Sequence, residues 1–294
     1  MSTELEPVAP RMPGRPLWNL PENACDCHTH VFGPYEQFPV KYPMPYAAPL
    51  APAALHREML DRVGVKRGVV IQPGAFGTDP SAILQALSHS GGRLRGIAAA
   101  TATVSSADLD AWNEAGVRGL RFNEMRAPLG SGRYPGSVGS EELEELAPRL
   151  AERGWHAEVW ANLETQVQLL PRLREAGVPI VMDHMAGLDI ARGVADPSFQ
   201  AILLALQEGW LWVKLTLCRC SQDYPDYANL QPYHDALIAA NPERLVWGSD
   251  WPYVRMGDRT PDVAHLLNLF QTWVFDETIR DRILVTNPEA LYDF

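Results

Sequence analysis

The sequence has few lysines, few cysteines and no excess of positive charge. Three of its 25 basic residues are lysines, and acidic residues are more numerous, so the net charge is −11. Nucleic acids and anionic membrane surfaces bind basic faces, so this balance argues against both as partners. No segment approaches the ~18 consecutive apolar residues of a membrane-spanning helix, so we expect no membrane span.

The first 21 residues differ in character from the rest of the chain. They are polar and rich in proline, without the basic start and apolar run of a signal peptide. We therefore expect a cytoplasmic protein in which residues 1–21 form an N-terminal strap or tail. No linker or internal repeat divides the remainder, and residues 1–294 are predicted to form a single domain.

Eight short apolar runs alternate with helical patterns along the chain. The predicted strands are 24–31, 67–72, 94–99, 118–122, 156–160, 179–183, 211–215 and 245–248. Apolar residues at three- and four-residue spacing predict helices at 54–63, 81–87, 107–115, 141–152, 164–175, 198–207 and 233–240, and closing helices at 262–275, 276–284 and 287–292. This alternation favours an α/β fold with a closed (β/α)₈ TIM barrel. The alternative, an open doubly wound sheet, would carry a glycine-rich phosphate loop, which residues 28–34 do not form.

Polar residues follow three of these strands at their carboxyl ends, where a barrel carries its active site. His28 and His30 end the first strand and share its interior face. His184 follows the sixth strand and Asp250 the eighth. Converging imidazoles can hold a metal or donate to a carbonyl oxygen. Asp250 stands before Trp251 in a stiff setting, where desolvation is expected to raise its pKa and suit it to proton transfer, although a helix N-cap role also fits.

The four cysteines form two Cys-x-Cys pairs, Cys25 with Cys27 and Cys218 with Cys220. Their spacing differs from that of common zinc knuckles. We favour reduced thiols packed as small apolar side chains over a zinc site or a disulfide. Strand alternation predicts that Cys25, Cys27 and Thr29 face the helices.

With these residues the chain resembles the amidohydrolase superfamily. Within it, the chain is most similar to the lactonase group that includes 2-pyrone-4,6-dicarboxylate lactonase and 4-sulfomuconolactone hydrolase. The matching segments cover nearly the whole chain and are 28–34, 72, 77–79, 118–123, 154–156, 183–185, 246–252 and 285–288.

The resemblance implies that the chain opens a lactone ring, as in the catabolism of aromatic compounds. It assigns Asp250 as the general base on water, and His28, His30 and His184 as groups that polarise the carbonyl. A related branch of sugar-lactone isomerases lacks the intact His-x-His and the aspartate. Because this chain keeps both, hydrolysis is the better interpretation.

The resemblance also implies an anionic substrate, because lactonases of this group bind a substrate that carries two carboxylates. Trp160 replaces a tyrosine of the group, Gly187 stands near the place of a missing arginine, and Arg255 is additional. We expect a dicarboxylate or carboxylate–sulfonate lactone, bound by planar guanidinium groups. The predicted substrate-binding residues are Arg121, Arg126, Tyr46, Trp160, Arg219 and Arg255.

Metal dependence stays open, because some members of the superfamily bind a metal and the pyrone lactonase works without one. Zinc is the first candidate, since imidazole ligands favour it. Glu158 or Glu124 could complete the site, and Lys214 could instead pair with Glu158 without a metal. The candidate ligands are His28, His30, His184 and Asp250.

Two other functions and the oligomeric state stay open from the sequence. The first is a metal-dependent decarboxylase or C–C hydrolase, a reaction of other superfamily members. The second is a binding barrel that has kept its pocket without catalysis. Release of carbon dioxide would indicate decarboxylation, whereas ring opening with release of acid would indicate a lactonase.

Overall fold

The computed structural model describes residues 7–44, 46–127 and 132–294. Eight parallel strands pair in chain order. Backbone hydrogen bonds from Asp250 N to His28 O (2.8 Å) and from His30 N to Trp251 O (2.9 Å) join the eighth strand's end to the first. The predicted barrel is therefore confirmed. The strands are β1 Cys25–Thr29, β2 Arg67–Ile71, β3 Leu94–Ala98, β4 Val117–Asn123, β5 His156–Trp160, β6 Ile180–Met182, β7 Leu211–Leu215 and β8 Leu245–Trp247.

One α-helix follows each strand, and two more close the chain. All the predicted helices are present, with ends that differ by a few residues. No helix among the described residues is both long and apolar enough to span a membrane. The helices are α1 Ala53–Val63, α2 Ser81–Ser88, α3 Ser106–Ala115, α4 Leu143–Ala151, α5 Leu163–Glu175, α6 Pro197–Gln207, α7 Gln231–Ala240, α8 Val263–Trp273, α9 Glu277–Asp281 and α10 Asn287–Tyr292.

Two apolar clusters occupy the two sides of the sheet. The larger cluster joins strand residues such as Val70 to helix residues such as Leu60. The smaller cluster joins strand residues such as Val69 and Val246 to Tyr292 of α10. Arg118 at the start of β4 forms an ion pair with the residue after α10. The last helix therefore covers the end of the barrel at which the strands begin.

The prediction that Cys25 and Cys27 face the helices is wrong. Both pack in the smaller apolar cluster, inside the barrel. The Thr29 hydroxyl, in contrast, lies 2.8 Å from His56 Nε2 on α1. The pairing of β1 with β2 shifts register between Asp26 and Thr29. Such an irregularity interrupts the two-residue alternation of side chains, so inward and outward positions cannot be counted through it. All four cysteines are free thiols, as expected.

Residues 7–21 form no helix or strand, and residues 14–18 lie against α8. The Gly14 N–H donates to Asp262 Oδ2 at 2.8 Å, and the Leu17 N–H donates to Asn268 Oδ1 at 2.8 Å. The Trp18 indole N–H adds a hydrogen bond of 3.2 Å to a backbone carbonyl of α8. The strap over residues 1–21 stays a prediction. Residues 1–6 of the predicted strap lie outside the described residues.

Candidate active site

The four predicted catalytic residues meet at the carboxyl ends of the strands. The His28 ring centroid lies 5.1 Å from that of His30 and 4.6 Å from that of His184. Asp250 Oδ1 lies 3.2 Å from His30 Nε2 and 3.6 Å from His28 Nε2. All four residues are buried. Strands β1, β6 and β8 thus bring together three imidazoles and one carboxylate, which we call the four-residue cluster.

His30 is held between two hydrogen-bond acceptors. Its Nδ1 lies 2.8 Å from the Ile71 carbonyl oxygen on β2, and its Nε2 faces Asp250 Oδ1. Contacts on both ring nitrogens hold the imidazole in one orientation. His30 is therefore arranged to orient the Asp250 carboxylate.

Arg219 gives Asp250 an electrostatic setting that differs from the predicted one. Its Nε donates to Asp250 Oδ2 at 2.5 Å. Burial raises the pKa of Asp250, but Arg219, the His30 hydrogen bond and the two other imidazoles outweigh it and hold the pKa well below its usual range. The expectation of a raised pKa is therefore wrong, because desolvation was considered without a cation that lies 31 residues away in the chain.

A second group of buried charges lies beside His28 in the barrel interior. Lys214 of β7 donates from Nζ to Glu158 Oε2 at 2.6 Å, and its Nζ lies 3.2 Å from Asp183 Oδ1. Arg121 Nε donates to Asp183 Oδ2 at 2.9 Å. Burial raises the pKa of Asp183, but Lys214, Arg121 and His28 hold it well below its usual range. The sequence analysis predicted this Lys214–Glu158 pair as the alternative to a metal ion.

The loop after β6 presents His184 on an unusual backbone. His184, Met185, Ala186 and Gly187 all have positive φ angles, between 49° and 64°. A Cβ on Gly187 would lie 2.1 Å from the Ala161 carbonyl oxygen. The position is thus closed to any larger side chain with this backbone.

A pocket opens beside the four-residue cluster, and His30, His184 and Asp250 line it. Arg126 is exposed in the loop after β4 and is not among the described residues lining the pocket. The predicted substrate-binding residues that do line it are Arg121, Tyr46, Trp160, Arg219 and Arg255.

One wall of the pocket is a layered stack of aromatic and guanidinium groups. The Trp160 and Tyr134 rings stack with centroids 6.2 Å apart and an angle of 10°. Arg121 lies over the Trp160 ring at 5.0 Å, and Arg255 lies over the Tyr134 ring at 4.9 Å. Sequence reasoning missed Tyr134, because it lies in the long segment between β4 and α4, where no periodicity marks it. Tyr46 also lines the pocket, and burial raises its pKa to about 12 despite the nearby arginines.

Among the described residues, two sets of side chains have the spacing of metal ligands. His28, His184 and Asp250 form one set, and His28, Glu158 and Asp183 form the other; within each set the ligand atoms lie within 4.8 Å of one another. His30 is bound to Asp250 and Ile71 instead. Glu124 lies elsewhere, where its carboxylate accepts hydrogen bonds from Ser140 N at 2.6 Å and Arg133 Nε at 2.8 Å.

Comparisons with known proteins agree with this geometry. A family model described as amidohydrolase matches residues 25–294. The chain is 31% identical to a 2-pyrone-4,6-dicarboxylate hydrolase of Comamonas testosteroni, covering 95% of this chain and 93% of that protein. It is 32% identical to a 4-sulfomuconolactone hydrolase of Rhizobium radiobacter, covering 96% and 94%. The crystal structure of a probable 2-pyrone-4,6-dicarboxylic acid hydrolase of Acinetobacter baumannii, with citric acid bound, superposes with a TM-score of 0.79 at 27% identity, covering 92% and 100%.

Proposed function

Since the chain belongs to the amidohydrolase family, we propose that it hydrolyses a lactone that carries two acidic groups, a dicarboxylate or a carboxylate–sulfonate. Lactone hydrolases are among its relatives. One observation carries the proposal: the buried Asp250 carboxylate faces two imidazole nitrogens, at 3.2 and 3.6 Å, in a pocket that arginines line. We further propose a cytoplasmic location, as the sequence led us to expect.

The Asp250 carboxylate is the general base of this reaction. It accepts a proton from water while the water oxygen attacks the carbonyl carbon of the lactone. The carbonyl oxygen becomes an oxyanion in the tetrahedral intermediate. When the ring C–O bond breaks, the leaving oxygen takes the proton from Asp250. The products are a carboxylate, a hydroxyl group on the opened chain and one released proton.

The imidazoles supply polar groups for the carbonyl oxygen. His28 Nε2 and His184 Nδ1 are buried and have no hydrogen-bond partner among the described residues. Burial is the main cause that lowers the pKa of His184 to about 3, so its ring is neutral near pH 7. A neutral imidazole with a free N–H can donate to an oxyanion in a site from which water is excluded, where such a bond is strongest.

Arg121 and Arg255 are the groups proposed to bind the acidic substituents. Both line the pocket, and they lie over two different rings of its stacked wall. A guanidinium binds a planar carboxylate or a sulfonate through parallel N–H donors. Two such groups at different places along the wall fit a substrate with two separated anions.

The candidate ligands have the spacing that a zinc ion requires, but the cations beside them do not favour zinc binding. The ion would be held by His28, His184 and Asp250 and would polarise the carbonyl oxygen. However, Lys214 Nζ lies at hydrogen-bond distance from His28 Nδ1, and Arg219 occupies Asp250 Oδ2. Both cations oppose a nearby divalent ion, so we derive no step through a metal. Elemental analysis of the purified protein tests this point.

The proposed function is tested by Asp250→Asn, assayed on a panel of lactones by pH-stat. Without the base, kcat should fall by ~10²–10⁴-fold, while circular dichroism shows a retained fold. Asp110→Asn is the matched control, because Asp110 is 62% exposed in a surface ion pair. Turnover by Asp250→Asn close to that of the unmodified protein would refute the assignment. Release of carbon dioxide without ring opening would replace it with decarboxylation.

A further inference from the structure

Lys214 is the fourth of the five residues of β7 and is fully buried inside the barrel. Its amino group contacts Glu158 Oε2 at 2.6 Å, Asp183 Oδ1 at 3.2 Å and His28 Nδ1 at 3.2 Å. A buried ammonium needs anionic partners, and the two carboxylates meet that need. The contact with the His28 ring is additional, and it joins this interior pair to the four-residue cluster.

The contact with Lys214 favours one position for the proton of His28. An ammonium can only donate hydrogen bonds, so Nδ1 must accept with its lone pair. In a neutral ring the proton then lies on Nε2. Asp183 Oδ1 is also 3.2 Å from Nδ1, but it has no hydrogen-bond partner among the described residues. Of the two neighbours of Nδ1, Lys214 is the one placed to donate to it, whereas Asp183 would accept from it in the other tautomer.

We propose that Lys214 is a positioning residue that keeps His28 in the tautomer with its proton on Nε2, and so makes His28 a hydrogen-bond donor rather than a metal ligand. The Nε2 atom lies 3.6 Å from Asp250 Oδ1. A lactone carbonyl beside the base therefore meets an N–H group, which stabilises the oxyanion. This role rests on the proposed lactone hydrolysis, but the tautomer itself is a property of the resting protein.

The amino group of Lys214 also stands where a metal ion could bind. His28, Glu158 and Asp183 have the spacing of metal ligands, and Lys214 Nζ contacts all three. An ammonium and a divalent ion compete for the same lone pairs, because both bind carboxylate oxygens and an unprotonated imidazole nitrogen. Removing the amino group should therefore free a site for Zn²⁺ that the unmodified chain does not offer.

The first experiment measures the tautomer directly, by ¹⁵N NMR of protein labelled at histidine. The His28 signals are identified as those lost in His28→Gln. We expect a protonated Nε2 and an unprotonated Nδ1 in the unmodified protein. A protonated Nδ1 would overturn the role of Lys214 without touching the Asp250 assignment, which the Asp250→Asn assay tests separately.

The second experiment compares Lys214→Met with Lys66→Met, a control at an exposed lysine. Lys214→Met should lower kcat by ~10²-fold or more, as expected for a lost oxyanion donor, with KM changed less than ~3-fold. In the metal-free variant the His28 proton should move to Nδ1, and calorimetric titration with ZnCl₂ should show binding that displaces this proton and that Lys66→Met lacks. An unchanged kcat in a folded Lys214→Met would overturn the proposal. If that variant does not fold, the NMR measurement on the unmodified protein still decides.

Discussion

Removing Arg219 is the most informative single change at the site. Arg219→Met deletes the guanidinium and keeps an unbranched side chain. Arg219 Nε lies 2.5 Å from Asp250 Oδ2, and the two side chains are 11% and 2% exposed. Removing one partner of a buried ion pair costs ~3–5 kcal/mol. With ~2.1 cal/mol/K of unfolding entropy per residue, a chain of 294 residues should lose ~5–8 °C in Tm.

The sign of the pH dependence follows from the pKa of Asp250. Burial raises it, but Arg219 and the imidazoles hold it well below its usual range. The stabilisation is therefore fully present above the unfolded value of ~3.9 and is lost as pH falls through the lower folded value. In the variant, fewer positive charges oppose burial, so the pKa rises. The acid limb of kcat should move to higher pH, whereas the unmodified enzyme shows no Asp250 limb near neutrality.

The assays are thermal melting at pH 7 by circular dichroism and a pH profile of kcat by pH-stat. Arg174→Met is the matched control, because Arg174 and Glu208 form a pair 62% and 48% exposed. Such a surface pair contributes ~0–1 kcal/mol, so Tm should change little. Arg219→Lys should retain part of both effects, since it keeps the charge. The reasoning fails if Arg219→Met melts like the control and keeps the same acid limb.

Two further changes test the pocket wall and the β6 loop. Arg255 donates to the Tyr134 hydroxyl and lines the pocket. Arg255→Met should therefore raise KM for a dianionic lactone by ~10–100-fold, which corresponds to the loss of one charged hydrogen bond. The KM for a neutral lactone should change little. Gly187→Ala should destabilise the fold by ~1–3 kcal/mol more than Gly177→Ala in urea denaturation. Both glycines have positive φ, but only the first would press a Cβ against the Ala161 carbonyl oxygen; equal losses would contradict this explanation.

The barrel could be predicted from sequence because the strands of a parallel barrel are buried on both faces. Each strand therefore occurs in the sequence as a short run of apolar residues. The four-residue cluster could be predicted because parallel strands end at one rim, so His28, His184 and Asp250 meet although they are far apart in sequence. The orientation of Cys25 and Cys27 could not be predicted, because the pattern of residue types does not show the register shift within β1.

The electrostatic environment of the site could not be predicted from the sequence either. The local setting of Asp250 suggested desolvation, but the pKa depends on Arg219 in the loop after β7. Tyr134 could not be anticipated as a partner of Trp160, because long loops have no periodic signal that positions their side chains. In both cases the deciding contact joins two loops, and the pattern of either loop alone does not contain it.

The balance of charge around the cluster limits what else the site can bind. Three buried carboxylates are each paired with a cation, so these six groups together carry no net charge. Within the part of the chain that the structure describes, the pairs are Glu158 with Lys214, Asp183 with Arg121, and Asp250 with Arg219. A dianionic substrate adds charge that these pairs do not neutralise, and an unpaired anion in such a pocket is costly. Arg255 forms none of these pairs and lines the same pocket, so binding of the second anion should depend on Arg255 more than on any arginine already paired inside the barrel.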